Sequence, residues 1–264
     1  MKKLTSFAFL LGIMISLALV SCGPSEKDTG GADVGFPKRT QKLAKLVMAT
    51  NAEFPPFEFV AEDGSFQGID VEIMQSICQA AGRELVVENI AFDSIIPAVT
   101  SGKADCGVAG MTVTEDRLRN VDFTTPYYTA YQVIVIPKDS AIQGKDDLKG
   151  KRIGVQTGTT GDTMAGEIEG VEMNRFSKGA EAILALTQNK VDAVVIDDKP
   201  AHAFVAKNAD KLVILETPLS DESYAMAVKK GNSELLALLN EQIERIKTDG
   251  TLDAIRAKYE GEAE

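Results

Sequence analysis

From residue 43 onward, short apolar runs alternate with segments in which apolar residues recur every three or four positions. The runs have the length and composition of β-strands, and the segments between them have the period of helices. The strand-like runs are LVMA, ELVVEN, DCGVAG, YQVIVI, RIGVQ, VDAVVI, LVIL and YAMAV. Helices are predicted over residues 71–81, 92–101, 180–188, 200–207 and 233–247. Strands alternating with helices predict an α/β fold with mostly parallel sheets.

The first 22 residues differ from the rest of the chain. Lys2 and Lys3 precede an apolar run, residues 4–20, which stops at Ser21 and Cys22. Small and apolar residues directly before a Cys resemble the lipobox of bacterial lipoprotein signals, in which Cys22 is lipidated and becomes the mature N-terminus. An uncleaved membrane anchor is the alternative, because the run is about as long as a short membrane span. We expect a signal peptide over residues 1–22, hence an exported protein anchored by lipid to the cell membrane and facing the periplasm or extracellular side.

Residues 23–41, GPSEKDTGGADVGFPKRTQ, are rich in Gly, Pro, Ser and charge and carry no hydrophobic period. This composition predicts a flexible tether. Over the whole chain, 39 acidic side chains outnumber 28 basic ones, for a net charge of −11. Such an excess of acid favours solubility and argues against nucleic acid or anionic lipid as a partner, so contact with the membrane is expected only through the lipid anchor.

The residue types that carry catalysis or bind metals are sparse. The single His, His202, is spaced like a core or surface position of a helix, and no metal-ligand cluster, phosphate loop or nucleophile motif is evident. We therefore expect neither a metal nor a cofactor. Cys78 and Cys106 permit one disulfide, but each lies in an apolar pattern, and buried free thiols are favoured because a free Cys packs like a small hydrophobe.

Two stretches of the chain are similar to each other. Residues 98–110, AVTSGKADCGVAG, and 185–197, ALTQNKVDAVVID, both show a helix end, a Gly or Asn turn, a Lys, an Asp and an apolar strand. Gly102 and Asn189 suit the left-handed turn that ends such a helix. Two similar turns arising by chance are the alternative. If the stretches belong to related lobes, the segments after both strands meet in a cleft, because ligands bind beyond the carboxyl ends of parallel strands.

The motif GIDVEIMQSICQAA, residues 68–81, resembles the signature of extracellular solute-binding protein family 3, the polar amino-acid receptors of bacterial ABC importers. The similarity continues through ATNAEFPPFEF, FDSIIPAVTSGKAD, MTVTEDR, VDFTTPYY, GVQTGTT and VDAVVIDDKPA, over roughly residues 43–260. It implies a two-lobed periplasmic-binding-protein-like fold of type II, with two hinge crossings and a ligand cleft between the lobes. One lobe would comprise residues 42–130 plus 223–264 and the other residues 131–222.

The resemblance also implies how the ligand carboxylate is bound. Arg117, in the T-E-x-R stretch, would bind it, because a guanidinium presents a planar fork that fits a carboxylate. A surface ion pair with Glu115 or Asp116 is the alternative. The backbone N–H groups of Thr159 and Thr160, at a helix start, would also face the carboxylate. A simple capped loop is the alternative for these two residues.

A second set of residues is expected to bind the ligand ammonium. The resemblance places it on Asp197, the Gly110 carbonyl and the Thr112 hydroxyl, which together satisfy three donors. Asp197 could instead cap the helix that is predicted to begin near Pro200.

For the ligand side chain, the resemblance implies a sandwich between the rings of Phe54 and Phe92. Ordinary core packing is the alternative for Phe92. Asn51 stands where receptors for basic amino acids often carry an acidic residue, and Ala109 where they often carry Ser. Because Asn51 can hydrogen-bond an amide or a guanidinium, the sequence favours arginine or glutamine over acidic ligands.

Together these features imply a monomeric substrate-binding lipoprotein that captures a polar L-amino acid for an ABC transporter, with separate permease and ATPase subunits as partners. An enzyme of the same fold, such as a cyclohexadienyl dehydratase-like lyase, is the alternative. Catalysis would need a tuned acid or base, or a metal. Since the expected site residues already have binding roles, we expect a binding protein rather than an enzyme.

Overall fold

The computed structural model describes residues 44–215 and 217–261. The predicted signal peptide, Cys22 and the predicted tether lie outside the described residues. The strands are β1 Ala44–Thr50, β2 Glu53–Phe54, β3 Glu58–Val60, β4 Phe66–Gln67, β5 Arg83–Asn89, β6 Cys106–Gly107, β7 Val121–Phe123, β8 Tyr128–Ala130, β9 Gln132–Pro137, β10 Arg152–Gln156, β11 Glu172–Phe176, β12 Ala193–Asp197, β13 Leu212–Ile214, β14 Glu222–Tyr224 and β15 Ala227–Lys229. The helices are α1 Ile69–Ala80, α2 Ile95–Ser101, α3 Glu115–Leu118, α4 Thr160–Gly166, α5 Gly179–Thr187, α6 Asp198–Ala206, α7 Ser233–Thr248 and α8 Thr251–Glu260.

Two five-stranded sheets form the framework, with orders β5-β1-β6-β15-β7 and β11-β10-β12-β9-β13. In the first, β1 runs parallel to β5 and β6, whereas β15 runs antiparallel to β6 and β7. In the second, β10 runs parallel to β11 and β12, whereas β9 runs antiparallel to β12 and β13. The prediction of mostly parallel sheets was therefore wrong. Strands β9 and β15 enter their sheets from β8 and β14, which belong to a separate two-stranded sheet, and not through a crossover helix from a parallel neighbour in the same sheet.

We call the first sheet with its helices lobe one and the second sheet with its helices lobe two. Helices α1 and α2 pack on the first sheet, and α4, α5 and α6 pack on the second. Strands β8 and β14 form a separate antiparallel ribbon in which Ala130 lies opposite Glu222. Because β8 leads from lobe one into β9 and β14 leads from lobe two into β15, the chain crosses between the lobes twice at this ribbon.

The cores form where helices cover the sheets. In α1, Ile69, Ile73 and Ile77 recur every fourth residue and are fully buried, which is the spacing that places apolar side chains on one helix face. Cys78 and Cys106 are buried in the same core and are free, which confirms the prediction of unbridged thiols. Among the described residues, every helix is too short or too polar to cross a bilayer.

The two similar stretches adopt the same local structure. Gly102, at the end of α2, has φ 77°, and Asn189, just beyond α5, has φ 56°. Both are left-handed, as predicted for the residue that ends a helix before a strand. The stretches then continue into β6 of lobe one and β12 of lobe two, so the segments that follow lie at the carboxyl ends of parallel strands.

Candidate ligand-binding site

A hollow lies where the carboxyl ends of the parallel strands of both lobes meet. The wall residues numbered between 51 and 117 belong to lobe one, and those numbered between 156 and 197 belong to lobe two. All nine residues that the sequence analysis assigned to a ligand lie in this wall, and Glu58, Ala109 and Gln156 complete it. The wall consists of Asn51, Phe54, Glu58, Phe92, Ala109, Gly110, Thr112, Arg117, Gln156, Thr159, Thr160 and Asp197.

Arg117 is buried at the lobe boundary. The residue is only 9% exposed. Its Nη1 donates to the Thr112 carbonyl at 2.7 Å, and its Nη2 donates to the Gly158 carbonyl of lobe two at 3.1 Å. The guanidinium carbon lies 5.2 Å from the centroid of the Phe92 ring. Asp116 pairs with Arg119 instead. The alternative of a solvated surface pair for Arg117 is therefore wrong.

Asp197 faces Arg117 from the end of β12 and is 5% exposed. Its Oδ1 accepts a hydrogen bond from the Tyr224 hydroxyl at 2.5 Å. Its side chain makes no capping bond to α6, so the alternative role as a helix cap is wrong. Burial, followed by the negative charge of Glu222, raises the pKa of Asp197 to about 7.

The threonines of the two lobes meet at a carboxylate from the crossing strand. Thr112 Oγ1 donates to Glu222 Oε2 at 2.5 Å, and Thr160 Oγ1 donates to the same oxygen at 3.0 Å. Thr159 caps α4, because its hydroxyl oxygen accepts from the Asp162 N–H at 3.2 Å. The capping alternative thus holds for Thr159, while Thr160 is the first residue of that helix.

Gly110 lies where the backbone approaches an aromatic ring. Its φ is 51°, and an added Cβ would lie 2.9 Å from Phe54 Cε1, so only glycine fits. Its N–H donates to Asp70 Oδ2 at 2.8 Å, and the Tyr127 hydroxyl donates to the same oxygen at 2.8 Å. Glu58 lies beside Asp70, and burial raises the pKa of both carboxyls, that of Asp70 to about 6. The buried pair therefore holds the Gly110 backbone from behind.

At the far end of the hollow, two amides meet across the lobes. Gln156 Nε2 donates to Asn51 Oδ1 at 2.9 Å and to the Ser177 carbonyl at 3.2 Å, and Asn51 Nδ2 donates to the Ile90 carbonyl at 2.8 Å. Phe92 is half-buried and packs on a core cluster of lobe one while its ring faces Arg117. Core packing and a place in the wall are therefore compatible for Phe92.

Residues 46–262 match the family described as bacterial extracellular solute-binding proteins, family 3. The chain belongs to this family. It is 33% identical over 250 residues to a probable histidine-binding protein of Neisseria gonorrhoeae, an alignment that covers 92% of this chain and 91% of that protein. It is 32% identical over 255 residues to the arginine-binding extracellular protein ArtP of Bacillus subtilis, with 95% of each chain covered. These family 3 relatives are named as binding proteins.

The solved structures of family 3 proteins share the fold. An ancestral arginine-binding protein bound to arginine matches with a TM-score of 0.80 and 40% identity, covering 83% of this chain and 99% of that chain. An ancestral arginine-binding protein bound to glutamine matches with a TM-score of 0.77 and 40% identity, covering 82% of this chain and 97% of that chain. The predicted two-lobed type II fold is thereby confirmed.

The buried side chains around the hollow that were not assigned from the sequence include Glu58, Asp70, Glu222 and Tyr224. The signal that could have found Glu58 and Asp70 is an acidic residue inside an apolar stretch, here FEF and GIDV. Glu222 and Tyr224 carry no such signal, since they lie more than 100 residues from Thr112 in the chain. Within 44–215 and 217–261, no group of His, Cys, Asp and Glu side chains is placed to hold a metal ion.

Proposed function

We propose that this protein captures a polar L-amino acid, with arginine or glutamine favoured, and delivers it to an ABC transporter. The observation that carries the proposal is that Arg117 of lobe one and Asp197 of lobe two line the same buried hollow. A zwitterion offers one opposite charge to each. Buried charges are stable only when they are paired, so such a ligand suits this hollow better than a neutral or singly charged one.

In this proposal the ligand carboxylate binds Arg117 and the backbone N–H groups of Thr159 and Thr160. Arg117 uses only two of its five N–H donors on protein carbonyls, so donors remain for a bidentate contact. Thr160 begins α4, and the first N–H groups of a helix have no partners within it. The Thr159 N–H also donates to the Gln156 carbonyl at 3.4 Å, so the carboxylate would meet mainly the remaining donors of Arg117 and the first N–H groups of α4.

The ligand ammonium lies against Asp197, the Gly110 carbonyl and the Thr112 hydroxyl. Asp197 offers Oδ2, because the Tyr224 hydroxyl occupies Oδ1. The Gly110 carbonyl is held in place through the bond from its N–H to Asp70. Three acceptors around one ammonium satisfy its three donors.

The ligand side chain extends between Phe54 and Phe92 toward Asn51. Gln156 Nε2 donates to Asn51 Oδ1 and to the Ser177 carbonyl, and Asn51 Nδ2 donates to the Ile90 carbonyl. The acceptors left at this end are Gln156 Oε1 and a second lone pair of Asn51 Oδ1. Acceptors at this end suit a guanidinium or an amide and disfavour a carboxylate side chain. The arginine-bound and glutamine-bound structures of similar proteins agree with this choice.

The balance of buried charge favours arginine of the two. Among the described residues, four acidic side chains are buried, Glu58, Asp70, Asp197 and Glu222, against one basic side chain, Arg117. Burial raises the pKa of Glu58, Asp70 and Asp197, and a cationic side chain favours the ionised form of such carboxyls more than a neutral side chain does.

Calorimetric titration against arginine, glutamine, histidine, lysine and glutamate tests the proposal. We expect binding with roughly micromolar or tighter affinity, strongest for arginine or glutamine, without turnover of the ligand. The variant Arg117→Ala should abolish ligand binding. Arg119→Ala, which removes an exposed guanidinium two residues away, should leave binding intact. Absence of binding by the wild-type protein, or conversion of a bound amino acid to product, overturns the proposal.

We further propose that residues 1–22 are a signal peptide cleaved before a lipidated Cys22, and that residues 23–41 tether a monomeric body to the cell membrane. In the body, residues 42–130 plus 223–264 form one lobe and residues 131–222 the other. Membership in an extracellular solute-binding family supports export. The permease and ATPase of an ABC transporter are the proposed partners. If globomycin blocks cleavage of the signal peptide and Cys22→Ala abolishes it, the lipid anchor is supported. If neither globomycin nor Cys22→Ala affects cleavage, the lipid anchor is contradicted.

A further inference from the structure

We propose that Glu222, on the crossing strand β14, is a positioning residue that makes the site selective for a ligand with a free ammonium group. It does so by orienting the hydroxyl group of Thr112 so that its lone pairs face the ligand ammonium. The inference rests on the proposed function, because it assigns a role within the same amino-acid site.

The contacts of Glu222 are those of a buried carboxylate surrounded by hydroxyl donors. The residue is 4% exposed. Its Oε2 accepts from Thr112 Oγ1 at 2.5 Å and from Thr160 Oγ1 at 3.0 Å, and its Oε1 accepts from Ser220 Oγ at 3.2 Å. Among the described residues, no Lys or Arg forms an ion pair with it.

These contacts decide which way each hydroxyl points. A carboxylate only accepts hydrogen bonds, and a threonine hydroxyl has one hydrogen to donate. Once that hydrogen is directed at Glu222, the Thr112 oxygen has only lone pairs left for the hollow. It can then accept from an ammonium and cannot donate to a carboxylate. Thr160 is oriented in the same way and also accepts from Gln132 Nε2 at 3.1 Å.

The position of Glu222 is set by main-chain pairing rather than by its side chain alone. Thr112 forms a β-bridge with Tyr224. The Val113 N–H donates to the Ser223 carbonyl at 3.0 Å, and the Ala225 N–H donates to the Met111 carbonyl at 3.1 Å. Substituting the carboxylate should therefore leave the strand in place and change mainly the hydroxyl orientation and the local charge.

Glu222 also ties the site to the lobe crossing. Thr112 belongs to lobe one and Thr160 to lobe two, and the carboxylate on the crossing strand bonds to both. It lines the hollow that adjoins the ligand site and shares Thr112, Arg117 and Thr160 with it. One carboxylate thus orients a hydroxyl group from each lobe.

The test compares ligands that differ only in the ammonium group. Wild-type protein, Glu222→Gln and the control Tyr128→Phe are titrated with arginine, glutamine and their desamino analogues. Tyr128→Phe removes a different hydrogen bond of the same ribbon, from the Tyr128 hydroxyl to Glu260 at 2.6 Å. We expect Glu222→Gln to lower the affinity for the amino acid by roughly tenfold or more, and the affinity for its desamino analogue by less than about threefold. Tyr128→Phe should leave the ratio of the two affinities unchanged.

Equal weakening of both ligands by Glu222→Gln, or no weakening of either, overturns the inference. If Glu222→Gln does not fold, Thr112→Val and Thr112→Ser test the same hydroxyl. The valine should reduce the preference for the ammonium and the serine should keep it, and an unchanged preference in the valine variant overturns the inference. A wild-type protein that binds none of these amino acids overturns the proposed function itself. If the wild type binds the amino acid and Glu222→Gln leaves the ratio of the affinities for the amino acid and its desamino analogue unchanged, only the positioning role is overturned.

Discussion

At the scale of single residues, the site is dominated by buried acid. Burying a carboxylate without a partner is costly, so the neutral form is favoured and the pKa rises. This is the case for Glu58, for Asp70, whose pKa is raised to about 6, and for Asp197, whose pKa is raised to about 7. Strongly perturbed carboxyls in a cleft are typical of a functional site.

The first prediction concerns ligand affinity and pH. Asp197 of the ligand-free protein holds a proton below about pH 7, because burial and Glu222 raise its pKa. A ligand ammonium favours the ionised form, so binding must expel that proton at lower pH. We expect the affinity for the bound amino acid to fall as the pH drops from about 8 to about 5, by up to about tenfold per unit. Calorimetry in buffers of different ionisation enthalpy should detect the released proton, and a flat profile without proton release would contradict the assignment.

The second prediction concerns stability without ligand. An acid whose pKa is higher in the folded state than in the unfolded state does not destabilise the fold below the unfolded pKa. As the pH rises from the unfolded pKa to the folded pKa, the free energy of unfolding falls. For Asp197 this window runs from its ordinary value of 3.8 to about 7. Asp197→Asn should therefore raise the free energy of unfolding by about 1 to 3 kcal/mol near pH 8 and change it little near pH 4. Urea unfolding at both pH values measures this, and an equal change at both would speak against buried ionisation as the cause.

The residues of the site differ in how far the sequence could predict them. Arg117 was predicted through the family resemblance, since position alone favours a surface ion pair with its acidic neighbours. Glu222 and Tyr224 could not be predicted, because their roles arise from pairing between β14 and the segment around Thr112. Such pairing depends on the tertiary fold and leaves no local pattern.

At the scale of elements, the start of α1 depends on one glycine. Gly68 has φ 123°, and an added Cβ would lie 2.2 Å from the Phe57 carbonyl oxygen. We expect Gly68→Ala to lower the free energy of unfolding by about 3 kcal/mol or more, because the backbone must move. Gly82→Ala is the matched control, since Gly82 has φ 61° but open space around it, and should cost only about 1 kcal/mol. Equal losses in urea unfolding would show that the close approach is unimportant.

Most of the longer helices were predicted, with α8 as an exception, and the shortest strands were not. Helices α5 and α7 lie within two residues of their predicted bounds, because each has a clear apolar period and a defined end. Strands β2, β3 and β4 form a small sheet of two- and three-residue strands, which are too short to show alternation. Strands β9 and β15 were predicted as strands, but their antiparallel direction was not, because an apolar run does not reveal its direction.

At the scale of the whole molecule, contacts across the lobes should bias it toward the closed form. The pair between Lys178 of lobe two and Glu53 of lobe one, at 2.7 Å, is partly exposed. Because exposed pairs contribute little, Lys178→Ala should weaken ligand binding by no more than about fivefold. Lys149→Ala, which removes the pair with Glu169 inside lobe two, should have no effect. Titration of both variants measures this, and a loss of binding in Lys178→Ala would mean that closure depends on this pair.

The central claim is that Arg117 holds the carboxylate and Asp197 the ammonium of one ligand. Its most direct test is to titrate wild type, Arg117→Ala and Asp197→Asn with the bound amino acid, its desamino analogue and its decarboxylated analogue; for arginine the last is agmatine. We predict that Arg117→Ala weakens the amino acid and the desamino analogue but not the decarboxylated one, whereas Asp197→Asn weakens the amino acid and the decarboxylated analogue but not the desamino one. If each variant weakens all three ligands equally, the two side chains do not divide the zwitterion between them.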